Sequence, residues 1–581
     1  MEELRIGQIV SVKGTKVISK LDELLPPYLV SKGKISQSPK INTYVKTRVG
    51  ISDIICHVNG EVCDIVEFDK SDGHNKSNSL YLNLDVIGVI ENGKFLQGIR
   101  YLPIVMADVY TLNEEDGKII FSLDRNSIIL GRNIYDPSRF VGLYVNDIIP
   151  SHIGIFGNTG SGKSNTLAKL YYEYYNNFLK KTPESVANIV LFDLNNEYGK
   201  DAIVAMNDKK IYKLNTHKKV EDIKDENKIP INFSSLTEDD FVVLLNATQK
   251  TQAPIIKRVF DKMKDDFNVN DYLDELYLII STNQIPIYNS IKYRLNEYVK
   301  GLENFFVYNK DKTILKTIDR SYVKRDYFDL NVHIEEPKTF LDKFLFTLAF
   351  QIAKESSSGT NSDFILPLIS RTEKLVKNLK KVFIDKNEIF WEENKFIVIQ
   401  LADCNGDMND IIPSLVSKMI FERAVDKKGD KDISNSITNI LIDEAHNLLY
   451  SDFDNDNYHK TTIDVFEKIV KEGRKFGVFL TISSQRPSDI SNTIISQLHN
   501  YLIHKLVNPN DLDKIRKAVA YLDANSLDFI TVLSPGECIV SGTAVNLPQF
   551  VQVDKLSNNG PYSSTLELIG ENGILNSYIE D

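Results

Sequence analysis

The chain has 581 residues, 42% of them hydrophobic, which is too long for one core and indicates about two to four domains. The net charge of −11 argues against a protein that coats nucleic acid with a basic surface, although a motor can confine its basic residues to a channel. The four cysteines lack zinc-site spacing and no apolar run is long enough to span a membrane, so we expect a cytoplasmic protein with no membrane partner.

Short strand patterns dominate residues 1–132. Asn59-Gly60 separates apolar runs at 51–58 and 62–68, and Asn92-Gly93 separates runs at 86–90 and 95–99. Asn-Gly between hydrophobic runs is a strong signal for a β-hairpin, so both pairs predict hairpins. The polar segment 71–79 is interpreted as a loop. Many short strands with tight turns predict a small β-barrel.

A complete phosphate-binding pattern, G-x-x-x-x-G-K-[ST], lies between a strand predicted at 152–156 and a helix predicted at 164–179. Its glycines let backbone N–H groups converge on phosphate oxygens, its lysine reaches the β- and γ-phosphates, and its serine hydroxyl can ligate Mg²⁺. The strand–loop–helix context therefore predicts a nucleotide site. The residues are Gly157, Asn158, Thr159, Gly160, Ser161, Gly162, Lys163 and Ser164.

The strand predicted at 188–192 is followed by Asp193 and Glu197. In a parallel sheet both would lie at the carboxyl edge, beside the phosphate loop. There they can bind Mg²⁺ through water or relay to moving parts of a motor. Capping of the next helix is the alternative.

Further strands are predicted at 396–401, 438–442, 478–482 and 501–506, mostly separated by helical patterns. This alternation predicts an α/β fold with a mainly parallel sheet covered by helices on both faces. Helical patterns dominate 205–390, which we interpret as an insertion. The predicted domains are a barrel at 1–132, core parts at 133–204 and 391–550, the insertion, and an extended tail at 551–581.

The strand at 438–442 ends in Asp443 and Glu444. Asp443 can hold the Mg²⁺ shell and Glu444 can polarise the attacking water, as hydrolysis of a nucleotide requires. An acidic cap at an ordinary strand–helix turn is the alternative. Gln485 ends the next strand, where it can sense the γ-phosphate, unless the segment is a plain exit from the sheet.

The predicted site has one lysine for the triphosphate and no further cation. Charge on the transferred phosphoryl group usually needs an arginine finger, often from a neighbouring subunit. Arg474 is the candidate, Lys475 and Arg486 are alternatives, and a surface ion pair is the non-functional interpretation. One nucleotide core per chain, completed from elsewhere, favours a ring of identical subunits.

Two other classes of P-loop protein do not fit. Asp443-Glu444-Ala445-His446 spells the box of superfamily 2 helicases, but it lies too far from Lys163, and too few residues follow it for a second motor domain. Transporter ATPases carry a Leu-Ser-Gly-Gly-Gln segment, which this sequence lacks.

Together the motifs resemble those of HerA-type ATPases, in the HerA–FtsK group of hexameric DNA translocases. The resemblance implies a RecA-like P-loop core, ATP and Mg²⁺ as ligands with Asn165 beside the loop, Asp443 and Glu444 as a Walker B pair, Gln485 as sensor and Arg474 acting in trans. It covers most of the chain: the N-terminal barrel and residues 157–164, 193–198, 441–447, 472–477, 484–488, 495–498 and 533–537.

The sequence departs from this family just before the phosphate-loop strand. Members often carry a basic residue there, and this chain has Ser151. Either Arg132 or Arg139 replaces it, or hydrolysis is slow or depends on a partner.

The resemblance also implies partners. It implies double-stranded DNA threaded through a hexamer, and a nuclease or a sirtuin-like, NAD-consuming effector docked at the barrel end, with a role in bacterial antiviral defence. Lys427, Lys428 and Lys431 are candidate DNA contacts, although a solvated basic turn fits them equally. The alternative function is an ATP-binding scaffold that assembles and activates the effector without translocating DNA.

Overall fold

A computed structural model provides the coordinates. It describes residues 3–23, 25–26, 28–31, 34–65, 78–121, 126–182, 187–264, 268–281, 298–301, 306–308, 314–317, 328, 332–357, 362–429, 436–451, 457–519 and 524–561. Lys431 and most of the predicted loop at 71–79 and tail at 551–581 lie outside these residues.

The described part of the N-terminal region contains nine strands. Six of them close a barrel in the order β2-β1-β9-β5-β6-β7, because β7 pairs back onto β2. Every pairing around it is antiparallel, and the predicted small barrel is confirmed. The strands are β1 (Arg5–Lys13), β2 (Lys16–Leu21), β3 (Tyr28–Ser31), β4 (Lys34–Gln37), β5 (Tyr44–Val49), β6 (Ser52–Ile65), β7 (Asn78–Glu91), β8 (Lys94–Gln97) and β9 (Asp108–Thr111).

One of the two predicted hairpins is wrong. Asn92 and Gly93 do form the tight turn between β7 and β8, both with positive φ (51° and 71°). Asn59-Gly60, in contrast, lies inside the continuous strand β6, where a bulge between Val58 and Gly60 takes up the extra residue opposite β7. The local Asn-Gly signal is overridden by pairing along the whole length of two long strands.

The core is an eleven-stranded sheet ordered β11-β10-β26-β25-β24-β12-β23-β22-β13-β21-β14. Its strands are β10 (Ser127–Asn133), β11 (Phe140–Tyr144), β12 (Ile153–Phe156), β13 (Ala187–Asp193), β14 (Lys210–Lys213), β21 (Phe396–Gln400), β22 (Ile437–Ile442), β23 (Val478–Ser484), β24 (Asn500–Ile503), β25 (Glu537–Gly542) and β26 (Gln549–Val553). Short two-stranded pairings involve β15 (Ile229–Ile231), β16 (Val299–Lys300), β17 (Phe306–Tyr308), β18 (Ile314–Thr317), β19 (His333–Ile334) and β20 (Phe383–Asp385).

The seven strands from β24 to β14 are all parallel. The four at the other edge are antiparallel. Every residue of β12, β13, β21 and β23 is buried, as expected for strands covered on both faces. The predicted α/β fold with a mainly parallel sheet is confirmed.

Helices cover the sheet and fill the region between β14 and β21. Thr237 caps α4 in a capping box with Asp240, as its sequence indicates. The helices are α1 (Glu114–Phe121), α2 (Val145–Ile148), α3 (Lys163–Asn177), α4 (Glu238–Leu244), α5 (Ala253–Lys264), α6 (Val269–Ser281), α7 (Phe340–Ser357), α8 (Ser362–Val382), α9 (Phe390–Glu393), α10 (Gly406–Gly429), α11 (Asn457–Phe476), α12 (Asn492–Ser496), α13 (Pro509–Ala518) and α14 (Ala524–Ile530).

The helical segment predicted as an insertion at 205–390 includes one strand of the core. Strand β14 pairs in parallel with β21 at the sheet edge. The exact domain boundaries stay a prediction. Within the described ranges, no helix is both long and apolar enough to cross a membrane.

Candidate nucleotide site

The phosphate loop connects the end of β12 to the start of α3. Gly160 and Gly162 have φ values of 73° and 108°, in the left-handed region that favours glycine. At Gly157 the restriction is steric, because an added Cβ would lie 2.5 Å from the Cβ of His504. The backbone conformation therefore favours glycine at positions 160 and 162, and the close approach of His504 favours it at position 157.

Neighbouring elements hold the loop by its backbone. The Asn158 N–H donates to the Lys505 carbonyl at 2.8 Å, and the Gly536 N–H donates to the Ser161 carbonyl at 2.8 Å. The Thr159 hydroxyl donates to the side-chain oxygen of Gln485. The structure therefore places the predicted sensor directly against the phosphate loop.

Lys163 is buried at the first residue of α3, 5% exposed. Its ammonium donates to the Asn158 carbonyl at 3.2 Å, and no carboxylate of the described chain forms an ion pair with it. Burial lowers the pKa of Lys163, while the charges of Glu444, Asp443 and Glu197 act in the opposite direction. This cation is held beside the loop without a counter-ion, as a lysine that binds phosphate requires.

Asp443 and Glu444 follow β22 at the same edge of the sheet. The two Asp443 oxygens accept hydrogen bonds from the Glu444 N–H at 3.0 Å and from the Tyr198 hydroxyl at 2.7 Å. Glu444 has φ 51° and ψ 44°, a left-handed conformation that costs a non-glycine residue free energy. Such strain is common where a side chain must point in a set direction for function.

The Glu444 carboxylate is a buried acceptor that is not satisfied. Its Oε2 atom has no hydrogen-bond partner, although Nδ1 of His446 lies 3.3 Å away. Burial raises the pKa of Glu444, partly offset by the Lys163 charge. Burial also lowers the pKa of His446, which favours the neutral imidazole. A carboxylate with free lone pairs and a raised pKa suits a general base for water.

The second acidic pair follows β13 at the same edge of the sheet. Asp193 accepts the backbone N–H groups of Glu197 and Tyr198, each at 2.9 Å, so it holds the turn after β13 and does not cap a helix. Glu197 lies near Asp443, and burial together with the Asp443 and Asp193 charges raises its pKa to about 7. The residue that reaches into the site is Tyr198, which we did not single out from the sequence.

His504 was also missed. It is fully buried beneath the phosphate loop, and its backbone N–H donates to the Phe156 carbonyl at 2.7 Å. Burial lowers the pKa of His504 to about 4, although hydrogen bonds with the backbone of Glu537 and Ser161 act in the opposite direction. The sequence offered no signal for it, because a histidine just after a strand has no motif of its own.

Arg474 lies at the opposite edge of the sheet. It is exposed in the last turn of α11, immediately before β23, while β23 ends beside the phosphate loop at Ser484. The seven residues of β23 span about 20 Å, farther than an arginine side chain reaches. Arg474 therefore cannot contact the phosphate loop of its own chain. Lys475 follows it at the same edge, whereas Arg486 follows Gln485 and lies 3.9 Å from Asp489.

The other basic residues proposed from the sequence either bond to neighbouring residues or lie away from the phosphate loop. Lys427 forms an ion pair with Glu392 at 2.7 Å, and Lys428 donates to the Lys475 carbonyl. Arg132 and Arg139 belong to the β10–β11 hairpin, which three strands separate from β12. Their roles, like those of the DNA-contact lysines, stay predictions.

Ser151 is tied into the amino end of the sheet. Its hydroxyl donates to the Ile148 carbonyl at 2.6 Å and accepts from the Asn500 amide at 2.8 Å. Position 151 therefore holds a small side chain whose hydroxyl is bonded within the protein.

Comparison with known proteins gives matches over most of the chain. A family model described as "Helicase HerA, central domain" matches residues 128–420, and one described as "Helicase HerA-like C-terminal" matches residues 416–574. The DNA double-strand break repair helicase HerA of Pyrococcus furiosus is 24% identical over 539 residues, covering 91% of this chain and 87% of the relative. That of Sulfurisphaera tokodaii is 26% identical over 456 residues, covering 78% and 74%.

Among solved structures, VirB4 of Thermoanaerobacter pseudethanolicus aligns with 14% identity and a TM-score of 0.38, covering 75% of this chain and 99% of that one. The bacterial conjugative coupling protein TrwB aligns with 13% identity and a TM-score of 0.40, covering 72% and 89%.

Proposed function

The chain is a P-loop ATPase of the HerA helicase family, and from that premise we propose that it is a ring-shaped, ATP-driven translocase of double-stranded DNA. The observation that carries the proposal is the convergence of Lys163, Asp443, Glu444 and Gln485 at one edge of the sheet, where Lys163 is buried and the Oε2 atom of Glu444 is buried without a hydrogen-bond partner. Leaving such groups without partners costs stability, which a bound nucleotide would offset.

The donor set at this edge fits Mg²⁺. Ser164 offers a hydroxyl and Asp443 a carboxylate, and both contact the Tyr198 hydroxyl. Among the described residues no three histidine, cysteine or acidic side chains form a metal cage, which agrees with an ion held largely by phosphates and water. MgATP supplies the phosphoryl group that is transferred. Lys163 binds the phosphates of ATP, and Glu444 accepts a proton from the attacking water. Gln485 senses the γ-phosphate.

Arg474 completes this site from a neighbouring subunit. Its position at the amino edge of the sheet is where a head-to-tail ring would bring one chain against the carboxyl edge of the next. The finger would stabilise charge on the phosphoryl group as it is transferred. We propose a hexamer, in which every site is shared by two chains.

The first test measures ATPase activity with and without double-stranded DNA. Lys163→Ala and Glu444→Ala should each lower kcat by at least about 10²-fold, since each removes a group that acts on the reacting phosphate or water. Lys180→Ala, an exposed lysine beyond the end of α3, is the control and should retain activity. Full activity in either site variant would refute the assignment.

The second test mixes two inactive variants. Lys163→Ala and Arg474→Ala should each be inactive alone, yet a mixture of subunits should recover activity where an intact loop meets an intact finger. No recovery would place the finger in the same chain or on another residue. Lys475→Ala and Arg486→Ala, carried through the same protocol, distinguish the two alternatives.

We propose that the barrel end docks an effector enzyme, a nuclease or a sirtuin-like NAD-consuming protein, in antiviral defence. The loop between β8 and β9 supports this, because it exposes six large apolar side chains by 44% to 67%, an unusual density for a free surface. They are Ile99, Tyr101, Leu102, Ile104, Val105 and Met106.

Charge at this loop should abolish docking. Ile104→Asp combined with Val105→Asp should prevent copurification with a co-encoded effector and remove protection against phage, with ATPase activity retained. Ile51→Asp, at a fully exposed apolar residue on another turn of the barrel, is the matched control. Normal copurification of the double variant would place the partner elsewhere.

A scaffold that presents the effector without translocation is the second candidate. The acidic net charge and the locally bonded Ser151 favour it. The discriminating protein is Lys163→Ala in complex with its effector. If effector activity and phage protection persist, the protein is a scaffold. If both vanish while the complex still assembles, it is a motor.

A further inference from the structure

Tyr198 is fully buried and joins three parts of the proposed site. Its backbone N–H donates to Asp193, which fixes the turn after β13. Its hydroxyl donates to Asp443 Oδ2 at 2.7 Å and also contacts the Ser164 hydroxyl. One phenol oxygen therefore touches both side chains that the proposed function assigns to Mg²⁺.

The hydrogen bond to Asp443 constrains the direction of that carboxylate. One Asp443 oxygen is held by the Glu444 N–H and the other by the Tyr198 hydroxyl. A bond between a hydroxyl and a carboxylate is among the stronger neutral-to-charged contacts in proteins. Each carboxylate oxygen has two acceptor sites, so both keep one for a metal ion or its water.

We propose that Tyr198 is a positioning residue for Mg²⁺, whose hydroxyl aims Asp443 at the ion that Ser164 ligates. The inference rests on the proposed MgATP site and extends it to a residue in the turn after a third strand, β13. Partners that orient a metal ligand typically change metal affinity by about 10–100-fold when they are removed.

Tyr171 in α3 provides a matched control that reaches the same sheet. It is also fully buried, and its hydroxyl lies 2.6 Å from the Thr481 hydroxyl, between α3 and β23. Thr481 is not a proposed metal ligand. Tyr171→Phe and Tyr198→Phe thus delete the same group from comparable surroundings, and only one deletion affects Asp443.

The experiment titrates a fluorescent, non-hydrolysable ATP analogue into the full-length protein at a series of free Mg²⁺ concentrations, starting in EDTA. For Tyr198→Phe we expect analogue affinity in EDTA like that of the wild type. The Mg²⁺ concentration that produces half of the Mg²⁺-dependent gain in analogue affinity should rise about 10–100-fold relative to the wild type. Tyr171→Phe should leave that concentration unchanged. In an Asp443→Asn background, Tyr198→Phe should add little, because the carboxylate it positions is gone.

Three results would contradict the positioning role of Tyr198 or the proposed MgATP site on which it rests. If Tyr198→Phe lowers the thermal midpoint as Tyr171→Phe does and keeps the wild-type Mg²⁺ dependence, the hydroxyl is only structural. If Tyr198→Phe binds Mg²⁺ more tightly, the hydroxyl competes with the ion and the positioning role is wrong. If the wild type gains no affinity from Mg²⁺ at all, the proposed MgATP site itself fails.

Discussion

The barrel and the nucleotide site each bury a lysine, in opposite surroundings. Lys46 in β5 is 1% exposed and forms ion pairs with Asp116 at 2.7 Å, Glu3 at 2.8 Å and Asp53 at 3.2 Å. Lys163 is 5% exposed and contacts one carbonyl. Burial opposes the charge of both lysines. The hydrogen bonds that Lys46 donates to Asp116 and Glu3 nevertheless raise its pKa, whereas burial prevails at Lys163 and lowers its pKa.

This difference separates charges that hold the fold from charges kept for a ligand. Lys46 ties the chain start, β6 and α1 together and has all its counter-ions inside the protein. At the nucleotide site, Lys163 donates to the Asn158 carbonyl but forms no ion pair with a described carboxylate, and the Glu444 Oε2 atom has no hydrogen-bond partner. A buried lysine without an ion pair and a buried carboxylate oxygen without a partner lower stability, so their meeting beside the phosphate loop favours a ligand-binding role.

The largest expected effect is in the barrel. Lys46→Met leaves three carboxylates without their shared cation, and removing one partner from a buried ionic cluster costs about 3–5 kcal/mol. Scanning calorimetry should show a matching loss of unfolding free energy, with ATPase activity per folded molecule unchanged. Arg48→Met is the control, because Arg48 contacts Glu3 and Asp53 from an exposed position and should cost no more than about 1 kcal/mol. Equal losses of unfolding free energy in Lys46→Met and Arg48→Met would contradict the difference proposed between the barrel and the nucleotide site.

The second prediction concerns pH and His504. Its folded-state pKa of about 4 lies below the ordinary 6.5, so the unfolded chain binds the proton more readily. The stability that depends on neutral His504 is present above pH 6.5 and is lost as the pH falls toward 4. His504→Leu should remove up to about 3 kcal/mol of this dependence, at 1.36 kcal/mol per pKa unit.

The measurement for His504 is urea unfolding from pH 7 to pH 4, in about half-unit steps, without nucleotide. Exposed His217→Leu is the control and should keep the wild-type slope. A wild-type slope in His504→Leu would mean that other buried groups cause the acid sensitivity.

The smallest effect should come from Lys163 itself. Lys163→Met removes an unpaired buried charge, so the nucleotide-free protein should gain about 1 kcal/mol of unfolding free energy, opposite in sign to Lys46→Met. MgATP should then raise the thermal midpoint of the wild type and not that of the variant, since only a ligand bound to the folded state stabilises it. A loss of stability in Lys163→Met would show that its contact with Asn158 matters more than its desolvation.

Much of the fold followed from local patterns. The alternation of buried strands and helices predicted the parallel sheet, and the strand before the phosphate loop was placed correctly. The Asn59-Gly60 hairpin was wrong because two long strands pair across it, and a turn propensity of local origin is weaker than a continuous ladder. The pairing of β7 with β2 that closes the barrel likewise has no local signal.

The sequence by itself determined the chemical groups of the candidate site, because residue type and spacing fix what a loop of glycines, a lysine and a pair of acids can bind. Only the tertiary structure decided which groups meet. Parallel register brings Gln485 to Thr159 and the Tyr198 hydroxyl to Asp443, and it places Arg474 at the far end of β23. The physical reason is that burial and contact depend on strands distant in sequence, so the unpaired charge of Lys163 and the bonded charge of Lys46 cannot be distinguished along the chain alone.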